Sequence, residues 1–142
     1  MTEHGPAGFQ VARESDTFID HIGPILYRPN EKSVTLYLRI ERRHTNPAGS
    51  AHGGLLMTMM DLTLARSVGR YLGHDHVVAT VQLSCNLIST AREGEEVYGE
   101  AQVERATRLL TFASGRLRAG ERTLMTATGV FRNPPEKGAM SV

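Results

Sequence analysis

Cysteine is almost missing from this chain: Cys85 stands alone among 142 residues. One thiol cannot form an intrachain disulfide, so a reducing, cytoplasmic compartment is expected. An excess of either charge is missing too. The formal net charge is +1, and the arginines are scattered instead of forming the block or stripe of a nucleic-acid binder. No apolar run approaches the roughly 18 residues of a membrane span, and the first ten residues lack the charged-then-apolar order of a secretion signal. The G-x-S-x-G elbow, the P-loop and the dinucleotide fingerprint are absent, which argues against a serine hydrolase, an NTPase and a Rossmann enzyme. What remains is ordinary soluble composition, 40% hydrophobic and 22% charged. A single domain over residues 1–142 is expected, with flexible ends at about 1–10 and 133–142, where proline and glycine are frequent and apolar content is low.

From Ser33 to Glu41 apolar and polar residues alternate, Val34, Leu36, Leu38 and Ile40 against Thr35, Tyr37 and Arg39. That pattern predicts a half-buried strand. Ile25 to Tyr27, followed by the turn-like Arg28 to Lys32, predicts a first hairpin, with a short helix over Glu14 to His21 before it. The alternation returns later: Val77, Ala79, Val81, Leu83, Cys85 and Leu87 share one face, and Thr80, Gln82, Ser84 and Asn86 the other. Three more strands are predicted at about Glu95–Arg105, Leu109–Arg118 and Thr123–Arg132, with separators short enough for antiparallel hairpins. Between the strand groups, Gly53–Leu72 is too long for a strand and rich in Leu, Met and Ala, so it is read as the one long helix. Its first part is apolar all round, which predicts burial on every side and contact with water only from Arg66 onward. A buried helix with about five antiparallel strands has one economical α+β arrangement. A curved, mostly antiparallel sheet wraps around the central helix, the hotdog fold.

Asp61 lies in that apolar stretch, among Met57, Met59, Met60, Leu62 and Leu64. A buried carboxylate must take up a proton or find partners. A hydroxyl such as Thr58 or Thr63 offers the quiet solution; a catalytic carboxylate in a dry pocket is the functional one. At the helix start, Asn46 to Gly54 (NPAGSAHGG) makes a tight approach ending in His52 and two glycines. Free N–H groups of the first turn and the positive end of the helix dipole can hold charge developing on a carbonyl oxygen. A plain glycine loop with a structural histidine is the alternative. Gly53 and Asp61 are eight positions apart, about 12 Å along a helix, so one carbonyl carbon cannot touch both. If both serve one reaction, Asp61 must come from a second chain whose helix runs antiparallel alongside, as in a two-fold dimer.

The pattern Asn46, Gly49, His52-Gly53-Gly54 and Asp61 resembles the signature of hotdog-fold acyl-CoA thioesterases of the phenylacetic-acid-degradation type, and the likeness spans roughly Ile25 to Arg132. The resemblance implies hydrolysis of acyl-CoA to free acid and coenzyme A without a cofactor, in a homotetramer built as a dimer of dimers. It makes Asp61 the nucleophile or general base and the Gly53 N–H the oxyanion donor. His52 would orient or polarise the carbonyl, Asn46 would help place substrate or water, and Thr80 would hold the attacking water beside the carboxylate. Arg105 and Arg108, and more weakly Arg132, fall where such enzymes often carry basic residues for the coenzyme A phosphates; solvated surface arginines are the other reading. One departure is Ser89-Thr90-Ala91, where relatives usually have a proline.

Other candidates carry less. Cys85 sits with apolar neighbours and is read as packing. His74-Asp75-His76 is too short for a metal site and lacks further ligands, so no metal is expected. Two rival functions keep the architecture: an acyl-thioester hydratase or dehydratase, and a non-catalytic acyl-CoA sensor. The first needs an acid and a base across a carbon–carbon bond. The second usually carries a DNA-binding segment, for which no room is expected before the first strand.

Overall fold

The computed structural model of the chain describes residues 5–11, 16–73 and 78–135. Its strands are β1 (Gln10–Val11), β2 (Leu26–Pro29), β3 (Val34–Arg39), β4 (Ala79–Leu87), β5 (Glu96–Ala106), β6 (Leu110–Ala119) and β7 (Arg122–Arg132). A short helix α1 (Phe18–Ile22), a 3-10 turn at Arg42–His44 and the long helix α2 (Gly53–Leu72) complete it. The strands form one sheet in the order β1-β2-β3-β5-β6-β7-β4, with every neighbouring pair antiparallel. This is the expected hotdog fold, curved around α2, with β1 the one strand among the described residues that was not foreseen. The described part of the first helix begins at Phe18, later than expected. Among the described residues no helix is long and apolar enough to cross a membrane.

Leu56, Met59, Met60, Leu64 and Val68 recur at helical spacing and are at most 1% exposed. They meet Leu36, Leu38, Val97, Leu117, Met125 and Phe131 from the sheet. The helix can lie this close because the strands beneath it are notched with glycine. A methyl group on Gly115 would stand 2.7 Å from the Glu100 carbonyl oxygen and 2.9 Å from Leu64 Cδ2, and one on Gly129 would stand 3.1 Å from Leu64 Cδ1. Gly99 makes the same room for Thr63, whose hydroxyl turns back to the Met59 carbonyl. Glycine inside a strand commonly marks such a close approach. Further along the helix, Ser67 Oγ accepts the Val34 N–H at 3.0 Å and donates to the Val34 carbonyl at 3.2 Å, tying α2 to β3.

Two expectations need correction together. β3 is buried on both faces up to Leu38, and the N-terminal end is not loose at residues 9 and 10. Gln10 pairs with Tyr27, and Phe9 packs on Tyr37 and Tyr98 with ring centroids 5.8 and 6.1 Å away. That cluster covers the outer face of β3. It leaves the Tyr37 hydroxyl donating to Glu96 at 3.0 Å, and burial with the nearby carboxylate pushes the Tyr37 pKa up to about 12. At the other border Asn133 is held as well, donating to the Thr107 and Arg108 carbonyls and accepting the Thr111 hydroxyl.

The approach to α2 is fixed by a histidine. His44 is 3% exposed; its Nδ1 accepts the Glu41 N–H at 2.9 Å, which leaves Nε2–H to donate to the Ile22 carbonyl at 2.6 Å. Burial is the main influence that holds its pKa below the usual histidine value, partly opposed by the Ile22 hydrogen bond.

Two outcomes are expected. Gly115→Val should destabilise by about 1–3 kcal/mol, as overpacking does, seen as a lower Tm in thermal denaturation. For His44 the native state resists protonation, so on acidification the unfolded chain takes up the proton first. Its stabilising contribution is therefore complete above a pH of about 6.5 and declines below it until the native pKa is reached. Melts between about pH 7.5 and about pH 5.5 should lose Tm more steeply in the native chain than in His44→Gln.

Candidate active site

His52 ends the approach to α2 and caps it. Its Nδ1 accepts the Gly54 N–H at 2.9 Å, so the neutral ring carries its proton on Nε2, directed away from the helix. Its backbone carbonyl takes the Leu56 N–H at 3.1 Å, and its own N–H goes to the His44 carbonyl at 2.8 Å. Gly54 permits the cap, because a methyl there would sit 3.0 Å from His52 Nδ1. Two of the first-turn amides are therefore occupied, which narrows the expected set of free donors. The Gly53 N–H has no partner among the described residues, and it stands beside Leu87, whose Cδ2 would lie 3.1 Å from any Cβ at that position. Asn46 serves the approach loop: its Oδ1 accepts the Ala48 and Ser50 N–H groups at 3.0 and 3.1 Å.

Asp61 is half-buried, on a stripe of α2 that the sheet does not cover. Gly54, Met57, Thr58, Asp61, Leu62 and Ala65 follow one another at helical spacing along it, and Met57 is 40% exposed. The expectation of burial on every side thus fails for a single chain. Arg66, where contact with water was to begin, is itself half-buried, with its guanidinium 5.4 Å from the Tyr27 ring centroid. Neither Thr58 nor Thr63 satisfies Asp61; both hydroxyls bond carbonyls of their own helix. The partner is Thr80, whose hydroxyl donates to Asp61 Oδ1 at 2.7 Å.

Strict alternation groups Thr80 with Gln82, Ser84 and Asn86, opposite Leu83 and Cys85. A β-bulge between Thr80 and Gln82 changes this. Thr80 pairs with Phe131, which is fully buried, while Leu83 pairs with Gly129 and Cys85 with Ala127. Cross-strand partners share a face, so Val81 is the extra residue, 59% exposed, and Thr80 is turned inward. Bulges re-aim side chains in this way. Cys85 lies on the same inward face, partly buried against the core as expected. Burial raises its thiol pKa, and the negative charge of Asp61 adds to the effect.

Within one chain the structure does not bring all the candidates together. His52 and Gly53 stand at the start of α2 and Asp61 with Thr80 about 12 Å along it. Arg105 pairs with Phe112, Phe112 with Val130, and Val130 with Gln82. It therefore lies on the outer face, three strand spacings or roughly 14 Å from β4. Arg108 is in the turn between β5 and β6, and Arg132 ends β7; both are exposed. A groove of about 580 Å³ also opens on that outer face, between Ser84, Asn86, Gln102, Ser114, Arg116 and Thr128, away from Asp61. His74-Asp75-His76 falls outside the described residues. The turn that lacks the expected proline is held by other means: Arg122 donates to the Thr90 carbonyl at 3.1 Å and to both oxygens of Glu95.

Known proteins agree with this architecture. Residues 48–126 match the model of the thioesterase superfamily. The chain is 34% identical over 130 residues to the Pseudomonas aeruginosa protein PA0474, whose name proposes it as an esterase, covering 91% of this chain and 97% of that one. The structure of a phenylacetic acid degradation-related protein from Ralstonia eutropha, whose name proposes it as a thioesterase, superposes with TM-score 0.74 at 22% identity, over 85% of this chain and 92% of its own. A Streptococcus pneumoniae structure with coenzyme A, named as a hypothetical thioesterase, superposes with TM-score 0.69 at 17% identity, over 87% and 94%. With the family model covering residues on both sides of the His52 cap and the Asp61–Thr80 pair, this chain belongs to the thioesterase superfamily, a family of hotdog-fold thioester hydrolases.

Proposed function

We propose that the chain is a cytoplasmic acyl-CoA thioesterase whose sites are each shared between two copies, with His52 and Gly53 from one and Asp61 and Thr80 from the other. The observation that carries this reading is the 2.7 Å bond from Thr80 to Asp61 on the uncovered stripe of α2. It holds a carboxylate in place without neutralising it, while the carbonyl-binding donors lie too far along the same helix to help.

The missing half is supplied by symmetry. Among the described residues β4 is the last strand of the sheet, bonded only to β7, and Val81 and Leu87 along it and Ile88 just past its end are 59, 50 and 60% exposed. A long apolar edge in water is a liability unless something covers it. A second copy laid antiparallel against β4 also sets the two α2 helices antiparallel. Gly53 of one then meets Asp61 of the other if the dyad passes residue 57, halfway between them, where exposed Met57 stands. Such dimers would pair again into the tetramer that the resemblance implies.

In that composite cleft the thioester carbonyl oxygen takes the Gly53 N–H and the His52 Nε2–H, which stabilise the developing oxyanion. Asn46 contributes by shaping the loop. The Asp61 carboxylate either deprotonates a water held with Thr80 or attacks the carbonyl itself. The thiolate of coenzyme A leaves, and in the second route water then opens the anhydride. Heavy oxygen from solvent would enter the Asp61 side chain only by the second route. Arg105 and Arg108 offer charge to the coenzyme A phosphates from a neighbouring copy, since they face away from Asp61 of their own chain.

Asp61→Asn should lower acyl-CoA hydrolysis at least ~100-fold, in line with loss of an acid–base group, measured as thiol release over short, medium, long and aromatic acyl chains. Mixing that variant with His52→Ala provides the sharper test. Random dimers should regain about a quarter of the native activity, because half are mixed and each mixed dimer has one intact site. Sites contained within single chains would regain nothing. Met57→Arg should give an inactive monomer by size-exclusion chromatography, since each arginine would face its own copy at the dyad.

A further inference from the structure

Beside the start of α2 lies a buried side chain with no part in the chemistry above. The ring of His44 joins two segments: its own 3-10 turn, whose cap it holds through the Glu41 N–H, and the end of α1 through the Ile22 carbonyl. The His44 backbone opens a small hairpin. The His52 N–H donates to the His44 carbonyl at 2.8 Å, and the Asn46 N–H to the Ser50 carbonyl at 2.8 Å. Thr45 bridges Ala51 between them, and Gly49 turns the tip with φ 83. His52 thus leaves the hairpin directly opposite His44, and the next amide along the chain is that of Gly53.

We propose that His44 is a positioning residue of the thioesterase site: held at both ring nitrogens, it fixes the hairpin base from which His52 and the Gly53 N–H are aimed. The inference rests on the reading of His52 and Gly53 given above. A two-stranded hairpin this short is not rigid by itself. On its outer side it has the Ala51 N–H bonded to the Ala91 carbonyl at 2.7 Å and a bridge from Ser50 to Arg92. On its inner side it has His44.

The choice of histidine follows from geometry. The site needs an acceptor on one edge of a flat ring and a donor on the other, fully out of water. Asparagine reproduces the acceptor near Nδ1 but does not reach Ile22. Glutamine reaches Ile22 but deserts the Glu41 N–H, and an apolar residue of equal size leaves both backbone groups unpaired. α1 does not depend on His44 alone, because Arg43 donates to the His21 and Gly23 carbonyls. A His44 variant therefore keeps α1 docked and loosens mainly the hairpin base. Oxyanion donors tolerate little displacement; an error of about 1 Å can cost on the order of 100-fold in rate.

The test is a double-mutant cycle on acyl-CoA hydrolysis with His44→Asn, His52→Ala and the pair, read as separate kcat and KM, together with amide hydrogen exchange at His52 and Gly54. His44→Asn is expected to lower kcat at least ~10-fold while KM stays within about 2-fold. The loss in the paired variant should be smaller than the product of the two single losses, since His44 acts partly through His52. The His52 and Gly54 amides should exchange at least ~10-fold faster than in the native chain. Additive losses in the pair, or unchanged exchange at those amides, would overturn the proposal. If His44→Asn does not fold, the same cycle with His44→Gln, which keeps the Ile22 bond, decides on the same criteria. Should the native chain cleave no acyl-CoA at all, the catalytic reading falls, and exchange alone decides whether His44 positions His52.

Discussion

The contact between α2 and the sheet is the constraint from which the rest follows. Three strands give up side chains at Gly99, Gly115 and Gly129 so that Thr63 and Leu64 can reach the backbone beneath them. Once the helix is seated at that depth, its apolar positions are committed to the core. The residues that remain form one narrow uncovered stripe, and Asp61 is on it. Seating also decides where the helix begins, and so where the His52 ring meets the Gly54 amide. Packing and chemistry are set by the same rotation of one cylinder.

The second requirement is a hydroxyl in reach of the carboxylate, and it comes from an edge strand. The exposed apolar residues of β4 fit the proposed view of the single chain as half of a working unit. In that proposal carbonyl-binding donors and carboxylate lie at separate points of one helix, and a dyad would convert that separation into adjacency. Each copy would then give what it cannot use alone, and dissociation would remove both sites together.

Much of this was legible in the residues. The limits of α2 follow from its length and composition, with a glycine at each end, Gly53 as its first residue and Gly73 just past its last. The last three strands follow from alternation between short separators. The spacing of Gly53 and Asp61 is legible too, and it asks for a second chain if both serve one reaction. Two features were hidden, for physical reasons. Thr35 and Tyr37 read as solvent-facing because alternation reports one covered face, while Phe9 closes the other from far away in sequence. His44 gave no signal because its partners are backbone groups of Glu41 and Ile22, which every residue possesses. The strand glycines were visible, and their positions at Gly99, Gly115 and Gly129 signalled a close approach that went unread.

The bulge at Val81 is the least conspicuous of these features. With the lower part of β4 held in register, the identity of the side chain offered to Asp61 depends on whether the strand bulges. Were the pairing regular above Gln82, Val81 would stand opposite Phe131 and offer its methyls, and the hydroxyl of Thr80 would turn outward. A one-residue slip at the head of the strand, with no change to any side chain, would thus exchange a hydrogen-bonded carboxylate for one facing hydrocarbon. For this fold, the register at the head of the edge strand carries chemical information of the kind usually sought in substitutions.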